Sequence, residues 1–85
     1  MTKDEADFLL HHLKYYLAAE GFIWVAQEVE YAQIKIHYLT IEQCKEYSKY
    51  VLPPGKRGRV KLVLATPYLA RSYALLYGIL QSIEE

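Results

Sequence analysis

The sequence predicts an α+β domain: a small three-stranded, mostly antiparallel sheet with helices packed on one face, in the order α-β-β-α-β-α. Three observations carry that expectation. Apolar residues recur at helical spacing in three segments, 6–17, 41–51 and 69–83. Between the first two, Phe22–Leu39 is rich in aromatic and β-branched residues and contains a run of strict alternation. A short apolar run, Val60–Ala65, stands between the last two.

The first helix has a clear start and stop. Thr2 and Glu5 have capping-box spacing, and Asp4, Glu5 and Asp7 suit the positive end of a helix dipole. Ala6, Leu10, Leu13 and Leu17 draw one apolar stripe, with Asp7, His11, Lys14 and Ala18 on a more polar face. Gly21 supplies the left-handed residue that ends a helix.

Phe22-Ile23-Trp24-Val25 opens the strand region, and Ala32, Ile34, Ile36 and Tyr38 alternate with Gln33, Lys35, His37 and Leu39. A single strand over 22–39 would run about 60 Å, too long for this domain. The segment is therefore expected to fold back near Gln27–Tyr31, although no Gly, Pro or Asn marks a turn there.

Thr40 and Gln43 form a second capping box, and Ile41, Cys44, Tyr47 and Val51 give the next helix its stripe. Glu42, Lys45, Glu46 and Lys49 lie outside it, and Pro53-Pro54 end it. Val60–Ala65 reads as the third, central strand. Thr66-Pro67 then starts the last helix with an N-cap and a proline at N1.

That last helix carries Leu69, Tyr73, Leu76, Leu80 and Ile83 in a 4-3-4-3 seam, flanked by Tyr68, Leu75 and Ile79 and widened by Tyr77. A helix this apolar needs cover on two sides. A small sheet supplies one side, so the other is expected to meet a second copy. The expected homodimer interface is Leu69, Tyr73, Leu76, Tyr77 and Leu80.

The 85 residues make one domain, 1–85, burying only about 60–65% of its unfolded surface. Apolar residues are 53% of the chain, which excludes intrinsic disorder. The single Cys44 cannot form an intrachain disulfide, which fits a reducing, cytoplasmic setting. The acidic run Met1–Asp7 leads into no signal-peptide core, and no stretch reaches the ~18 apolar residues of a membrane span. No membrane association is expected.

Net charge is zero, but the charges are segregated. Residues 1–46 hold eight acids against four lysines. Between Glu46 and Glu84 there is no acid at all, and that stretch holds Lys49, Lys56, Arg57, Arg59, Lys61 and Arg71. Four of these fall within Lys56–Lys61, between Gly55 and Val63. Arg and Lys pair with phosphate oxygens, and Gly55 and Gly58 allow close backbone approach. The segment lacks the spacing of a phosphate-binding Walker loop.

Other constellations carry less. Tyr47, Tyr50, Tyr68 and Tyr73 flank the basic segment and could stack on bases, but at helical spacing they read first as packing residues. His11, His12, His37 and Cys44 show no metal-ligand spacing, so no metal or cofactor is expected. Cys44 falls on an apolar stripe with no base beside it, which marks a structural thiol. Gly21-Phe22 ending a helix, acids Glu20, Glu28 and Glu30, and then Gln33-Ile34-Lys35 together resemble the restriction-endonuclease-like core over about twenty residues. That resemblance would imply two-metal nuclease chemistry, but the Asp expected before the second strand is missing. No enzymatic activity is expected.

These observations converge on a small non-enzymatic binding protein acting as a homodimer. Lys56, Arg57, Arg59 and Lys61 would contact nucleic acid, DNA or RNA, with Lys49 and Arg71 as outer contacts. The alternative is a protein-interaction module that docks on an acidic partner. It would be a small regulator or inhibitor of the kind found on viruses and mobile elements.

Overall fold

A computed structural model of the chain describes residues 1–51 and 67–84. These residues form four helices: α1 (Lys3–Ala19), α2 (Ile23–Lys35), α3 (Ile41–Val51) and α4 (Pro67–Gln81). Among the described residues there is no strand, so the expected α+β sheet is overturned. The proposed hairpin over Phe22–Leu39 is instead α2 and the turn that follows it. The expected third strand, Val60–Ala65, lies outside the described residues, as do Lys56, Arg57, Arg59 and Lys61.

α1 begins as its sequence requires. The Thr2 amide donates to Glu5 Oε1 at 2.9 Å, and the Glu5 amide donates to Thr2 Oγ1 at 3.2 Å. The helix ends at Gly21, whose φ of 88° is open to glycine. The Gly21 amide bonds the Ala18 carbonyl at 3.0 Å and the Phe22 amide the Leu17 carbonyl at 2.9 Å, a Schellman pair.

The chain leaves that turn directly into α2, with Phe22 at the N-cap and no side-chain cap. The reason it is helical lies in a second periodicity. Val25, Val29, Ala32 and Ile36 recur at 4-3-4 spacing, and all four are buried. The absence of Gly, Pro or Asn from 22–39, which left the expected hairpin without a turn, is what an unbroken helix needs. Tyr38 and Leu39 amides return to the Lys35 carbonyl at 2.9 and 3.1 Å and close the segment. α3 then starts on a reciprocal box between Thr40 and Gln43, at 2.9 and 3.1 Å.

Successive helices alternate in direction. The end of α2 meets the start of α1, where His37 reaches Asp7 and Lys3 Nζ donates to the Leu39 carbonyl. The start of α4 stacks on the end of α1 through Tyr68 and Tyr16, with ring centroids 5.7 Å apart. The end of α4 meets both the start of α1 and the first half of α3. The Met1 ammonium donates to the Ser82 carbonyl at 2.7 Å, and Gln81 Nε2 donates to the Lys45 carbonyl at 3.0 Å.

This arrangement also places four of the five residues of the expected dimer seam inside the chain. Leu69, Tyr73, Leu76 and Leu80 are buried in the chain's own core, beside Leu10, Leu17, Val25, Val29 and Ile36. Tyr77 is half-buried. The cover of Leu69, Tyr73, Leu76 and Leu80 is supplied within the same chain, which leaves at most 2% of each exposed, whereas Tyr77 keeps part of its surface open. On the flank, Tyr68 and Ile79 pack against the core, while Leu75 is exposed.

Candidate functional site

Of the cations singled out in the sequence, the structure describes two. Lys49, in the last turn of α3, is exposed, and its Nζ lies 3.2 Å from Glu46 Oε2. Arg71 is exposed on α4, the neighbour of α3, and α4 carries no acid. The described acids fall on α1, α2, α3 as far as Glu46, and the segment after α4. Among the described helices α4 is the one without an acid, while cations lie on all four.

Where α2 and α3 face each other, Glu28, Tyr31, Tyr47, Tyr50 and Val51 line a cleft of about 200 Å³. Helical spacing brings the first residues together: Glu28, Tyr31 and Lys35 share one face of α2, and Tyr47 and Tyr50 are one turn apart on α3. Tyr31 is 59% exposed and Tyr50 75%, so both rings present their surface to solvent. The Lys35 ammonium lies over the Tyr31 ring at 4.9 Å and over the Tyr47 ring at 5.0 Å. The Tyr73 hydroxyl donates to Glu28 Oε2 at 2.7 Å and anchors that carboxylate from the core side. Burial first, and then the charge of Glu28, push the Tyr47 phenol above its ordinary range. It stays protonated at neutral pH. Sequence reasoning named Tyr47 and Tyr50 as candidates but placed Glu28 and Tyr31 in a turn. The helical period of α2 is the signal that would have joined them.

α1 displays a row of exposed rings. Phe8 and His12 have centroids 4.5 Å apart, His11 and His12 6.1 Å, and His11 and Tyr15 4.7 Å. Phe8 is 62% exposed and Tyr15 61%. Neither His11 nor His12 joins a metal cluster: among the described residues no group of three or more His, Cys, Asp or Glu could hold a metal ion. Cys44 is fully buried, and burial pushes its thiol above the ordinary range, which fits a structural role. The nuclease resemblance lapses with the sheet. Glu20 caps α1, whereas Glu28 and Lys35 lie two turns, about 10 Å, apart along α2.

His37 Nε2 lies 2.9 Å from Asp7 Oδ1 and ties the end of α2 to α1. That hydrogen bond holds the Asp7 carboxyl below its usual range. A lowered carboxyl contributes stability above its unfolded pKa of about 3.9 and loses it as pH falls through the folded value. Asp7→Asn is therefore expected to cost roughly 0.2–1 kcal/mol at pH 7, the range for a solvent-exposed pair. Urea denaturation should show the gap closing as the pH falls below the unfolded value of about 3.9.

No protein-family model, no curated protein and no solved structure matches this chain. Among the described residues, no helix is long and apolar enough to cross a membrane.

Proposed function

We propose that this is a small non-enzymatic binding protein that holds nucleic-acid phosphates through Lys56, Arg57, Arg59 and Lys61, with Lys49 and Arg71 as outer contacts, and that it acts as a homodimer. The observation that carries the reading is the acid-free stretch between Glu46 and Glu84 with its six cations, set against residues 1–46, which hold eight of the ten acids. A segregated field of this kind steers anionic partners even when net charge is zero. The exposed settings of Lys49 and Arg71 on neighbouring helices support their part in it.

Fluorescence anisotropy with single- and double-stranded oligonucleotides tests the reading. Four phosphate contacts would weaken binding roughly 50- to 150-fold between about 50 and 200 mM salt. Arg57→Glu with Arg59→Glu should abolish it. Absence of binding to both DNA and RNA at about 50 mM salt would sink the proposal.

With the α4 seam closed, the homodimer needs another surface. The row Phe8, His11, His12 and Tyr15 on α1 is the one we assign to it, because isolated domains seldom leave contiguous aromatic surface bare. Sedimentation at high micromolar concentration should report twice the chain mass, and Phe8→Glu should return the monomer. A wild-type monomer under those conditions removes the dimer. The same exposed row favours a second reading, a protein-interaction module steered to an acidic partner by the basic segment. In that case the double charge reversal would weaken the protein partner, and nucleic-acid binding would be absent from the wild type.

A further inference from the structure

We infer that the cleft between α2 and α3 is a binding site for an alkylammonium cation, an inference independent of the nucleic-acid reading. Three tyrosine rings and a carboxylate line it, the combination that recognises organic cations. Ring faces attract the positive charge through their quadrupole while their carbon surface accepts the alkyl groups. Tyr31, Tyr47 and Tyr50 supply the rings and Glu28 the negative charge. The volume of about 200 Å³ is several times the ~30 Å³ share of one water, and it suits a methylated ammonium head rather than a bare metal ion.

The chain itself contains the test case. Lys35 already places its ammonium 4.9 and 5.0 Å from the centroids of Tyr31 and Tyr47. These rings are thus oriented to receive a cation, and Lys35 is the internal one. Tyr50, 75% exposed, forms the open side through which a second ammonium would enter. The Tyr73 hydroxyl fixes the Glu28 carboxylate from the core side, so the floor of the cleft is set before a ligand arrives. Tyr47 remains a neutral phenol at physiological pH, which keeps its ring a cation acceptor with no competing phenolate.

The shared chemistry is an alkylated ammonium, carried either by a small free quaternary ammonium of the choline type or by a methylated lysine side chain. The experiment titrates the whole protein with choline, with N-acetyl-trimethyllysine amide, and with 3,3-dimethylbutanol, the neutral isostere of choline, at constant ionic strength. It follows the ring resonances of Tyr31, Tyr47 and Tyr50 by NMR. Either cation is expected to shift these resonances saturably in the millimolar range, and the tighter of the two identifies the source. The neutral isostere should leave them in place. Tyr50 is 75% exposed, so Tyr50→Ala should weaken binding about two- to fivefold while the spectrum stays dispersed. Lys35→Met removes the resident like charge and should tighten binding. The assignment is overturned if neither cation produces saturable shifts by about 50 mM. It is equally overturned if dimethylbutanol matches choline, or if Lys35→Met weakens the cations.

Discussion

Leu76→Asp is expected to unfold the protein, whereas Leu75→Asp, one residue away, is expected to change stability by no more than about 0.5 kcal/mol. Leu76 is fully buried at the centre of α4, and Leu75 is 57% exposed. An unpaired carboxylate in the core costs several kcal/mol and removes the apolar contacts of the leucine as well. A chain of this length has only about 4–13 kcal/mol of stability in total. Far-UV circular dichroism and a thermal melt decide the matter. The outcome also separates two pictures of the seam. If Leu76 lay in a dimer interface, the aspartate would give a folded monomer. Because it lies inside one chain, the helical signal and the cooperative melt should both disappear. Leu76→Ala should retain the fold at a cost of about 2–5 kcal/mol.

Glu30→Pro is expected to have the next largest effect, at least about 3 kcal/mol. Glu30 is exposed, so no core contact is at stake. It sits in the middle of α2, where proline removes the amide hydrogen bond to the Ala26 carbonyl and clashes with the preceding turn. For a domain of this size the melting temperature should fall by more than about 10 °C. The position discriminates sharply. In the hairpin that the β-rich composition implies, residue 30 falls in the turn, and a turn accommodates proline at little cost. A melt unchanged by Glu30→Pro would therefore contradict the helix.

Three of the four helices are legible from local chemistry alone. Thr2 with Glu5, Gly21, Thr40 with Gln43, and Pro67 are signals that act within a few residues, and the described helices start or stop at them. α2 is different because its sequence supports two periods. Ala32, Ile34, Ile36 and Tyr38 alternate, but Val25, Val29, Ala32 and Ile36 repeat at helical spacing. Intrinsic β-preference is worth only about 1 kcal/mol across its scale and yields to packing. Burying Val25, Val29, Ala32 and Ile36 in the shared core decides the outcome, and that gain is non-local.

The conformation of α2 also decides the seam and the cleft. With a thin sheet as the only cover, Leu69, Tyr73, Leu76 and Leu80 would require a second copy. With three other helices in the same chain, they do not. The cation-rich stretch is visible in the sequence because charge needs no fold to be counted. The tyrosine cleft is not visible, because Glu28 and Tyr31 meet Tyr47 and Tyr50 only if α2 is helical.

The most direct test of this account is therefore the backbone conformation of residues 23–36. Assigned NMR spectra of the whole protein should give helical Cα and Cβ secondary shifts through that stretch without interruption, with sequential amide–amide contacts and slow exchange at Val25, Val29 and Ala32. Extended shifts over 32–38, with cross-strand contacts to 22–26 and a break near 27–31, would contradict it, and would remove both the closed core around Leu76 and the cleft between α2 and α3.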